Sequence, residues 1–264
     1  MWKLLLIPLA LYVLVLVLAF IFQAKLLFPA GAVAGAGPLP PGAERLVVDT
    51  PDGYRLHGVR IPPVAKPSGT LILGFGGNAW NAGTAAAYLH GLFPEAEIVA
   101  FHYRGYRPST GSPGGRALID DAPRVHDLAV AGLRPRRVVA IGFSVGSGVA
   151  ASLAPSRPLD GLILVTPFDS MAKVAAGHYP WLPVRWLFRH ELNAAEWLEG
   201  SAVPTALIAG ERDTLIPAPR TEALRRATGR LVYDRIIAGA GHNDIYDRPD
   251  FRAAMREALL RVGG

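Results

Sequence analysis

The chain has 264 residues, a formal net charge of +6 and no cysteine. Its length suits one or two domains, and the missing cysteines exclude disulfides, thiol catalysis and cysteine-based zinc sites. The seven histidines show no H-E-x-x-H spacing, so we expect no metal and no cofactor, although a site of histidines and carboxylates stays open. The basic side chains are scattered and not interleaved with aromatic residues, so we expect no nucleic-acid partner.

An uncharged apolar stretch covers residues 4–22 near the start of the chain. A helix needs about 20 residues to cross a bilayer, whereas the apolar core of a signal peptide has only about 7–15. We therefore predict a single transmembrane anchor over residues 1–28. A cleaved signal peptide is the alternative, because Ala32-Val33-Ala34 resembles a cleavage site. Lys3 and Lys25 flank the stretch almost evenly, and we expect the rest of the chain on the extracytoplasmic side.

Residues 29–44 are rich in alanine, glycine and proline, which predicts a linker to one domain over residues 45–264. In that domain a hairpin through Pro51-Asp52-Gly53 comes first, and β-type runs then alternate with helix-like segments. The alternation predicts an α/β fold with a mostly parallel, doubly wound sheet. The predicted strands are 45–49, 54–61, 70–74, 98–103, 137–143, 161–165, 205–210 and 231–238, and the predicted helices are 80–92, 115–132, 146–154, 218–228 and 249–262.

The pentapeptide Gly142-Phe143-Ser144-Val145-Gly146 follows one of these strands and precedes a stretch of small residues. A strand, a sharp turn with serine between glycines, and a helix form a nucleophile elbow, in which bulky neighbours would clash. The turn places the serine at the carboxyl edge of the sheet, where ligands bind in such folds. We predict that Ser144 is a nucleophile, and an ordinary glycine-rich turn is the alternative.

A serine nucleophile needs a base within hydrogen-bond reach and a carboxylate that orients the base. Doubly wound hydrolases supply them in the order serine, acid, histidine. His242 follows the last predicted strand in a loop of small residues, and Asp213 follows strand 205–210. We predict that they are the base and the acid. Asp169, after strand 161–165, is the rival acid, and purely structural roles for Asp213 and His242 also stay open.

The loop that begins with Phe75-Gly76-Gly77-Asn78 follows strand 70–74. An oxyanion hole takes one backbone N–H from the residue after the nucleophile and another from this loop. We predict the N–H groups of Val145 and Asn78 as donors, with that of Gly77 next. The loop also matches the dinucleotide-binding pattern G-x-G-x-x-A, but the next strand ends in His102-Tyr103 and not in an acid for a ribose hydroxyl.

With these motifs, the chain resembles the small membrane-anchored serine hydrolases of the abhydrolase-domain type, a group that includes protein depalmitoylases. The resemblance covers about residues 45–260 and preserves the order of the motifs. The similar segments are 75–81 (F-H-G-N-A-G-N in the family), 102–113 (D-Y-R-G-Y-G-x-S-x-G-x-P), 141–150 (the elbow), 167–170 (P-F-x-S) and 239–244 (G-A-G-H-N-D).

This resemblance implies an α/β-hydrolase fold and a triad of Ser144, Asp213 and His242. Two positions depart from the family pattern, since Gly76 stands where the family usually has histidine and His102 where it usually has aspartate. Neither position belongs to the implied triad.

In this fold, the segment over about residues 169–203 holds the lid, and here it is rich in large apolar side chains. We predict that Phe75, Trp181, Trp186 and Phe188 bind substrate, as an acyl pocket or at the membrane interface. A helix packed on the sheet with ordinary aromatic fillers is the alternative. The short lid predicts an open cleft.

Together these features predict a membrane-anchored serine hydrolase that cleaves a carboxylic ester or thioester through an acyl-serine intermediate. The expected substrate is a small acyl ester or thioester, a membrane lipid or an acylated protein. A serine peptidase or amidase with the same triad is one alternative. A catalytically silent, membrane-tethered binding protein is the alternative from another class.

Overall fold

The structure, a computed structural model, describes residues 3–35 and 37–263 of the chain. Eight strands form one sheet in the order β1-β2-β4-β3-β5-β6-β7-β8. The strands are β1 (Glu44–Asp49), β2 (Arg55–Ile61), β3 (Thr70–Phe75), β4 (Glu97–Phe101), β5 (Arg137–Phe143), β6 (Gly161–Val165), β7 (Thr205–Gly210) and β8 (Leu231–Ile237).

The sheet is antiparallel only where β2 pairs with β1 and with β4, and its other pairs are parallel. In the central pair, Phe75 at the end of β3 lies opposite Gly142 near the end of β5. The loop after β3 and the turn after β5 therefore begin at the same level of the sheet. This mostly parallel, doubly wound sheet confirms the predicted α/β architecture.

Helices cover both faces of the sheet, and the side chains of β3 alternate between two apolar cores. Leu71 and Leu73 lie in the core beneath α3 and α4, whereas Ile72 lies in the core beneath α2 and α9. Burial on both faces explains why these parallel strands are almost continuously apolar. The helices are α1 (Lys3–Leu27), α2 (Ala82–Leu92), α3 (Gly115–Leu133), α4 (Val145–Ala151), α5 (Met171–His178), α6 (Val184–Leu187), α7 (Ala194–Leu198), α8 (Ala218–Ala227) and α9 (Pro249–Val262).

Helix α1 carries the apolar stretch that the sequence predicts as an anchor. An 18-residue window within the segment Leu6–Ala32 has a mean hydropathy of 2.6, and 6% of that window is buried. The length and composition of the segment therefore suffice to cross a membrane. A signal sequence near the N-terminus shares these properties. Membrane anchoring therefore stays a prediction at this point.

The segment predicted as a linker lies against the domain. The Asn81 side chain donates a hydrogen bond of 3.0 Å to the Ala34 carbonyl oxygen of this segment. Phe28, the last residue of the predicted anchor, is 1% exposed. Leu39 packs on the core beneath α2. The division into anchor, linker and domain stays a prediction, but these contacts show that the start of the chain has a defined place on the domain.

The predicted lid segment, 169–203, contains the three short helices α5 to α7.

Candidate active site

Ser144 lies in the turn between β5 and α4 with φ 51° and ψ −118°, in a region that L-residues rarely adopt. Its N–H donates to the Val165 carbonyl oxygen of the neighbouring strand at 2.9 Å. The turn leaves no room for side chains at its two glycines. A Cβ at Gly142 would overlap the Gly146 carbonyl group, and a Cβ at Gly146 would overlap the carbonyl oxygens of the loop after β3. The local sequence thus forces the serine outward from the strand end.

Ser144, His242 and Asp213 form a hydrogen-bonded chain. The Ser144 Oγ lies 2.9 Å from His242 Nε2, and His242 Nδ1 lies 2.7 Å from Asp213 Oδ2. Asp213 follows β7 and His242 follows β8, so three parallel strands bring the side chains to one edge of the sheet. His242 and Asp213 are each 9% exposed, so the hydrogen bond between them is largely shielded from water.

The second oxygen of Asp213 has its own partners. Oδ1 accepts hydrogen bonds from the backbone N–H groups of Leu215 at 3.0 Å and Ile216 at 2.7 Å. Because these donors fix the carboxylate, Oδ2 faces His242 and accepts a hydrogen bond from its Nδ1–H. This leaves the lone pair of His242 Nε2 directed at the Ser144 hydroxyl, which is the tautomer that a general base requires.

Asp169, the rival acid, is held elsewhere. Its Oδ2 lies 3.2 Å from Lys173 Nζ and 3.2 Å from Arg220 Nη1, and the residue is fully buried. Among the residues that the structure describes, Asp169 makes no hydrogen bond to His242. The structure therefore brings Asp213, and not Asp169, to the imidazole.

The loop after β3 lies against the elbow and is tied down by side chains. The Tyr103 hydroxyl donates to the Gly76 carbonyl oxygen at 2.7 Å, and the Tyr106 hydroxyl donates to Asn78 Oδ1 at 2.6 Å. Burial raises the pKa of Tyr106 to about 12, so this hydroxyl stays a donor. The Asn78 Nδ2 in turn donates to the Leu27 carbonyl oxygen at the end of α1, at 2.7 Å.

Within the described part of the chain, the N–H groups of Gly77, Asn78 and Val145 donate to no protein acceptor. They are free to bind an oxyanion, as the sequence predicts, and their role stays a prediction. The departure at Gly76 leaves the loop without the family's histidine, and the hydrogen bonds from Tyr103 and Tyr106 hold it instead.

An aromatic cluster behind the elbow escapes prediction from the sequence. Trp80 of the loop after β3 stacks on Phe143 with ring centroids 5.2 Å apart, and its ring centroid lies 5.0 Å from that of Tyr246, which follows the His242 loop. The Tyr88 hydroxyl donates to the Tyr246 carbonyl oxygen at 2.8 Å. The cluster joins the segments around the oxyanion loop, the elbow and the histidine. Its only sequence signal is an aromatic residue within four positions of Asn78, Ser144 and His242.

The four predicted substrate-binding residues lie in different places. Trp181 and Phe188 line a groove between α1 and the lid with a volume of about 680 Å³. Phe75 is 5% exposed and belongs to the apolar core, and Trp186 is 75% exposed on a separate shallow depression of the lid. The structure brings only the first two together.

His102, where the family usually has aspartate, is 7% exposed at the end of β4. Its backbone N–H donates to the His57 carbonyl oxygen at 2.9 Å, and its carbonyl oxygen accepts from Ser109 Oγ at 2.9 Å. Burial, with a smaller effect of the neighbouring His57, lowers the pKa of His102 to about 4. The side chain is therefore neutral near pH 7.

Across residues 3–35 and 37–263, no three His, Asp or Glu side chains are arranged to hold a metal ion.

No protein-family model matches this chain. An uncharacterized protein of Mycobacterium tuberculosis is 36% identical over 237 residues, which cover 86% of this chain and 84% of the relative. An alpha/beta hydrolase domain-containing protein of Caenorhabditis elegans, aho-3, is 26% identical over 82% of this chain and 64% of its own length. The lysophosphatidylserine lipase ABHD12 of Xenopus tropicalis is 27% identical over 61% of this chain and 49% of its own length.

Solved structures of low sequence identity share the fold and confirm the predicted α/β-hydrolase fold class. An alpha-beta hydrolase of Vibrio vulnificus matches with a TM-score of 0.70 and 17% identity, over 91% of this chain and 92% of that protein. A Pyrococcus furiosus esterase matches with a TM-score of 0.67 and 17% identity, over 87% of this chain and 96% of the esterase.

Proposed function

We propose a serine-hydrolase activity for this chain, which belongs to the α/β-hydrolase family. In this proposal it is a membrane-anchored enzyme that cleaves carboxylic esters or thioesters of long or lipid-like acyl groups. The observation that carries the proposal is the hydrogen-bonded chain from Ser144 through His242 to Asp213, with the serine at a strained strand-to-helix turn. A hydrolytic triad requires this arrangement of nucleophile, base and orienting acid.

The proposed reaction has two steps. The Ser144 Oγ attacks the acyl carbon while its proton passes to His242 Nε2, and Asp213 stabilises the imidazolium through the 2.7 Å hydrogen bond. The N–H groups of Val145 and Asn78 bind the oxyanion, with Gly77 as a further donor. Collapse breaks the bond to the leaving group, which takes the proton from His242 and departs as an alcohol or thiol. Water, deprotonated by His242, then hydrolyses the acyl-serine.

The proposed acyl specificity depends on the surroundings of the triad. The 680 Å³ groove between α1 and the lid is lined by apolar side chains, and its volume lies within the range of small-molecule sites. Leu27 at its end accepts a hydrogen bond from Asn78 of the loop after β3. The name of the ABHD12 relative points the same way, because that protein is a lipase of an acyl lipid.

The membrane location is part of the proposal. Helix α1 exposes large apolar side chains along its length, among them Ile7 at 65% and Leu9 at 57%. In water such a surface would be unfavourable, and in a bilayer it is solvated. We place the domain on the extracytoplasmic side. Protease added to intact cells should therefore digest the domain, and protection until the membrane is permeabilised would overturn the orientation.

A substrate panel tests the activity. The full-length protein in detergent would be assayed with p-nitrophenyl esters from acetate to palmitate, acyl thioesters and a peptide p-nitroanilide, beside Ser144→Ala as a control. We expect wild-type turnover of esters or thioesters and a loss of at least about 10³-fold in Ser144→Ala. Faster turnover of the anilide would favour the peptidase alternative. An inactive wild type with all substrates would favour the binding protein.

A further inference from the structure

The groove between α1 and the lid has two walls of different origin. One wall is α1 between Val15 and Leu27, and the other is the lid between Ala175 and Phe188. The first wall therefore belongs to the segment that the proposed function assigns to the membrane. The groove would lose this wall if the N-terminal segment were removed.

The groove offers a ligand almost nothing but apolar surface. Its most polar side chain, Gln23, is 9% exposed and has its amide occupied. The Gln23 Nε2 donates to the carbonyl oxygens of Phe20 at 2.9 Å and Leu187 at 3.1 Å, and its Oε1 accepts from the Arg189 N–H at 2.8 Å. A polar ligand would lose its hydration here without replacement, which excludes it. Gln23 instead fixes the lid to the helix.

Further contacts hold the two walls together along the helix. The Tyr12 hydroxyl donates to the Trp181 carbonyl oxygen at 2.8 Å, and the Arg189 guanidinium lies 5.1 Å from the centroid of the Phe20 ring.

The groove follows α1 from Val15 to Leu27, and at about 1.5 Å per residue this part of the helix is about 18 Å long. The hydrocarbon core of a bilayer is about 30 Å thick, so this length is similar to the depth of one leaflet. The groove thus runs along the helix over the depth of a leaflet.

The end of the groove at Leu27 borders the proposed catalytic centre. The Leu27 carbonyl oxygen accepts the hydrogen bond from Asn78 Nδ2 of the oxyanion loop at 2.7 Å. Leu27 and Phe188, which line the groove, also pack on the core that includes Val145, the residue after the nucleophile. An apolar ligand that fills the groove as far as Leu27 therefore ends at a residue that is hydrogen-bonded to the loop after β3.

We propose that this groove binds the long acyl chain of the substrate, which enters it from the leaflet around α1. The anchor helix is then one wall of the substrate site as well as a tether. This inference rests on the proposed serine-hydrolase function and adds the position of the acyl chain. A peptide strand is a poorer occupant, because its backbone N–H and C=O groups would stay unpaired in the groove.

Two substitutions would narrow the groove from opposite walls. Ala19→Trp fills it from α1, and Ala175→Phe fills it from the lid. Ala10→Trp is the matched control, because Ala10 lies nine residues from Ala19 and, at about 100° per residue, on the opposite side of the helix. It is exposed and does not line the groove.

The readout is the ratio of kcat/KM for p-nitrophenyl palmitate to that for p-nitrophenyl butyrate, measured with full-length protein in detergent. Ala19→Trp and Ala175→Phe should each lower this ratio at least about tenfold, because several methylene groups lose their burial. Ala10→Trp should leave it unchanged. An unchanged ratio in both groove variants of an active enzyme would overturn the acyl-site inference and leave the proposed function standing.

A binding measurement separates the two proposals further. Full-length Ser144→Ala would be irradiated with a diazirine analogue of palmitate, and the labelled peptides mapped by mass spectrometry. Labels should fall on α1 between Val15 and Leu27 and on the lid between Ala175 and Phe188, and Ala19→Trp in the same background should reduce them. Labels spread evenly over α1 would indicate ordinary contact with detergent or lipid and would overturn the inference. Groove labels in Ser144→Ala together with a wild-type protein that hydrolyses no ester would contradict the hydrolase proposal alone.

Discussion

The substitution Asp213→Asn tests how the acid sets the protonation of the histidine. Oδ1 of Asp213 accepts two backbone hydrogen bonds, at 3.0 Å from Leu215 and 2.7 Å from Ile216. In the variant, only the amide oxygen can keep these partners, so the amide NH₂ must take the place of Oδ2. The NH₂ group then faces His242 Nδ1 from the position of Oδ2, which in the wild-type protein lies 2.7 Å from that nitrogen.

An NH₂ group at that position donates to Nδ1 and does not accept from it. The imidazole proton therefore moves to Nε2, where it faces the Ser144 hydroxyl and blocks proton transfer. A wrong tautomer in a serine-histidine-aspartate triad lowers kcat by about 10⁴-fold, or about 5 kcal/mol of transition-state stabilisation. The fold should be retained, because the substitution is isosteric and both backbone hydrogen bonds persist.

The assay is kcat for a p-nitrophenyl ester near neutral pH, with circular dichroism as the check on folding. Asp169→Asn is the control, since that carboxylate pairs with Lys173 and Arg220 and takes no part in the hydrogen bonds of the imidazole. It is expected to lower stability more than rate. A larger loss of kcat in folded Asp169→Asn than in Asp213→Asn would refute the assignment of the acid.

Three other outcomes are expected. Gly146→Ala should reduce kcat and cost about 1–3 kcal/mol of stability, because its Cβ overlaps the carbonyl oxygens of the oxyanion loop, whereas Gly91→Ala in open space should do neither. Equal kcat values for Gly146→Ala and the wild type would contradict the close approach of Gly146 to the loop after β3. Burial holds the pKa of His102 at about 4, below its unfolded value of about 6.5, so its contribution to stability is present above pH 6.5 and lost as the pH falls towards 4. Between pH 7 and 5 the loss is at most about 2 kcal/mol, and a Tm that falls equally in wild type and His102→Gln would refute this cause. The full-length protein should remain in the membrane pellet after carbonate washing, and its release would contradict the anchor.

The sheet and its helices were predictable because their signals are local. Apolar runs and alternation fall within each element, and the observed bounds differ from the predicted ones by only a few residues. Helix α2 begins at Ala82 and not at residue 80 because the Asn81 side chain accepts a hydrogen bond from the Gly83 N–H and caps it. The positions of Ser144, Asp213 and His242 at strand ends were also local features, and the fold brings them together.

The place of the N-terminal segment was not predictable from local patterns. The alanine, glycine and proline content of residues 29–44 indicated a linker, but the Asn81 side chain holds the Ala34 carbonyl group and Leu39 packs on the core beneath α2. Such contacts join residues distant in the sequence, and no periodicity records them. Aromatic content alone likewise did not show that Trp181 lines the groove between α1 and the lid whereas Trp186 lies on a separate depression. The role of both residues in substrate binding stays a prediction.

The most direct test of the central claim is covalent labelling with a fluorophosphonate, which reacts with an activated serine. The full-length protein would be treated with the probe, and the modified residue identified by peptide mass spectrometry. We predict a single adduct on Ser144, with none in Ser144→Ala and much slower formation in Asp213→Asn. An adduct on a different serine, or the absence of any adduct in the folded wild-type protein, would contradict the assignment of Ser144, His242 and Asp213 as a hydrolytic triad.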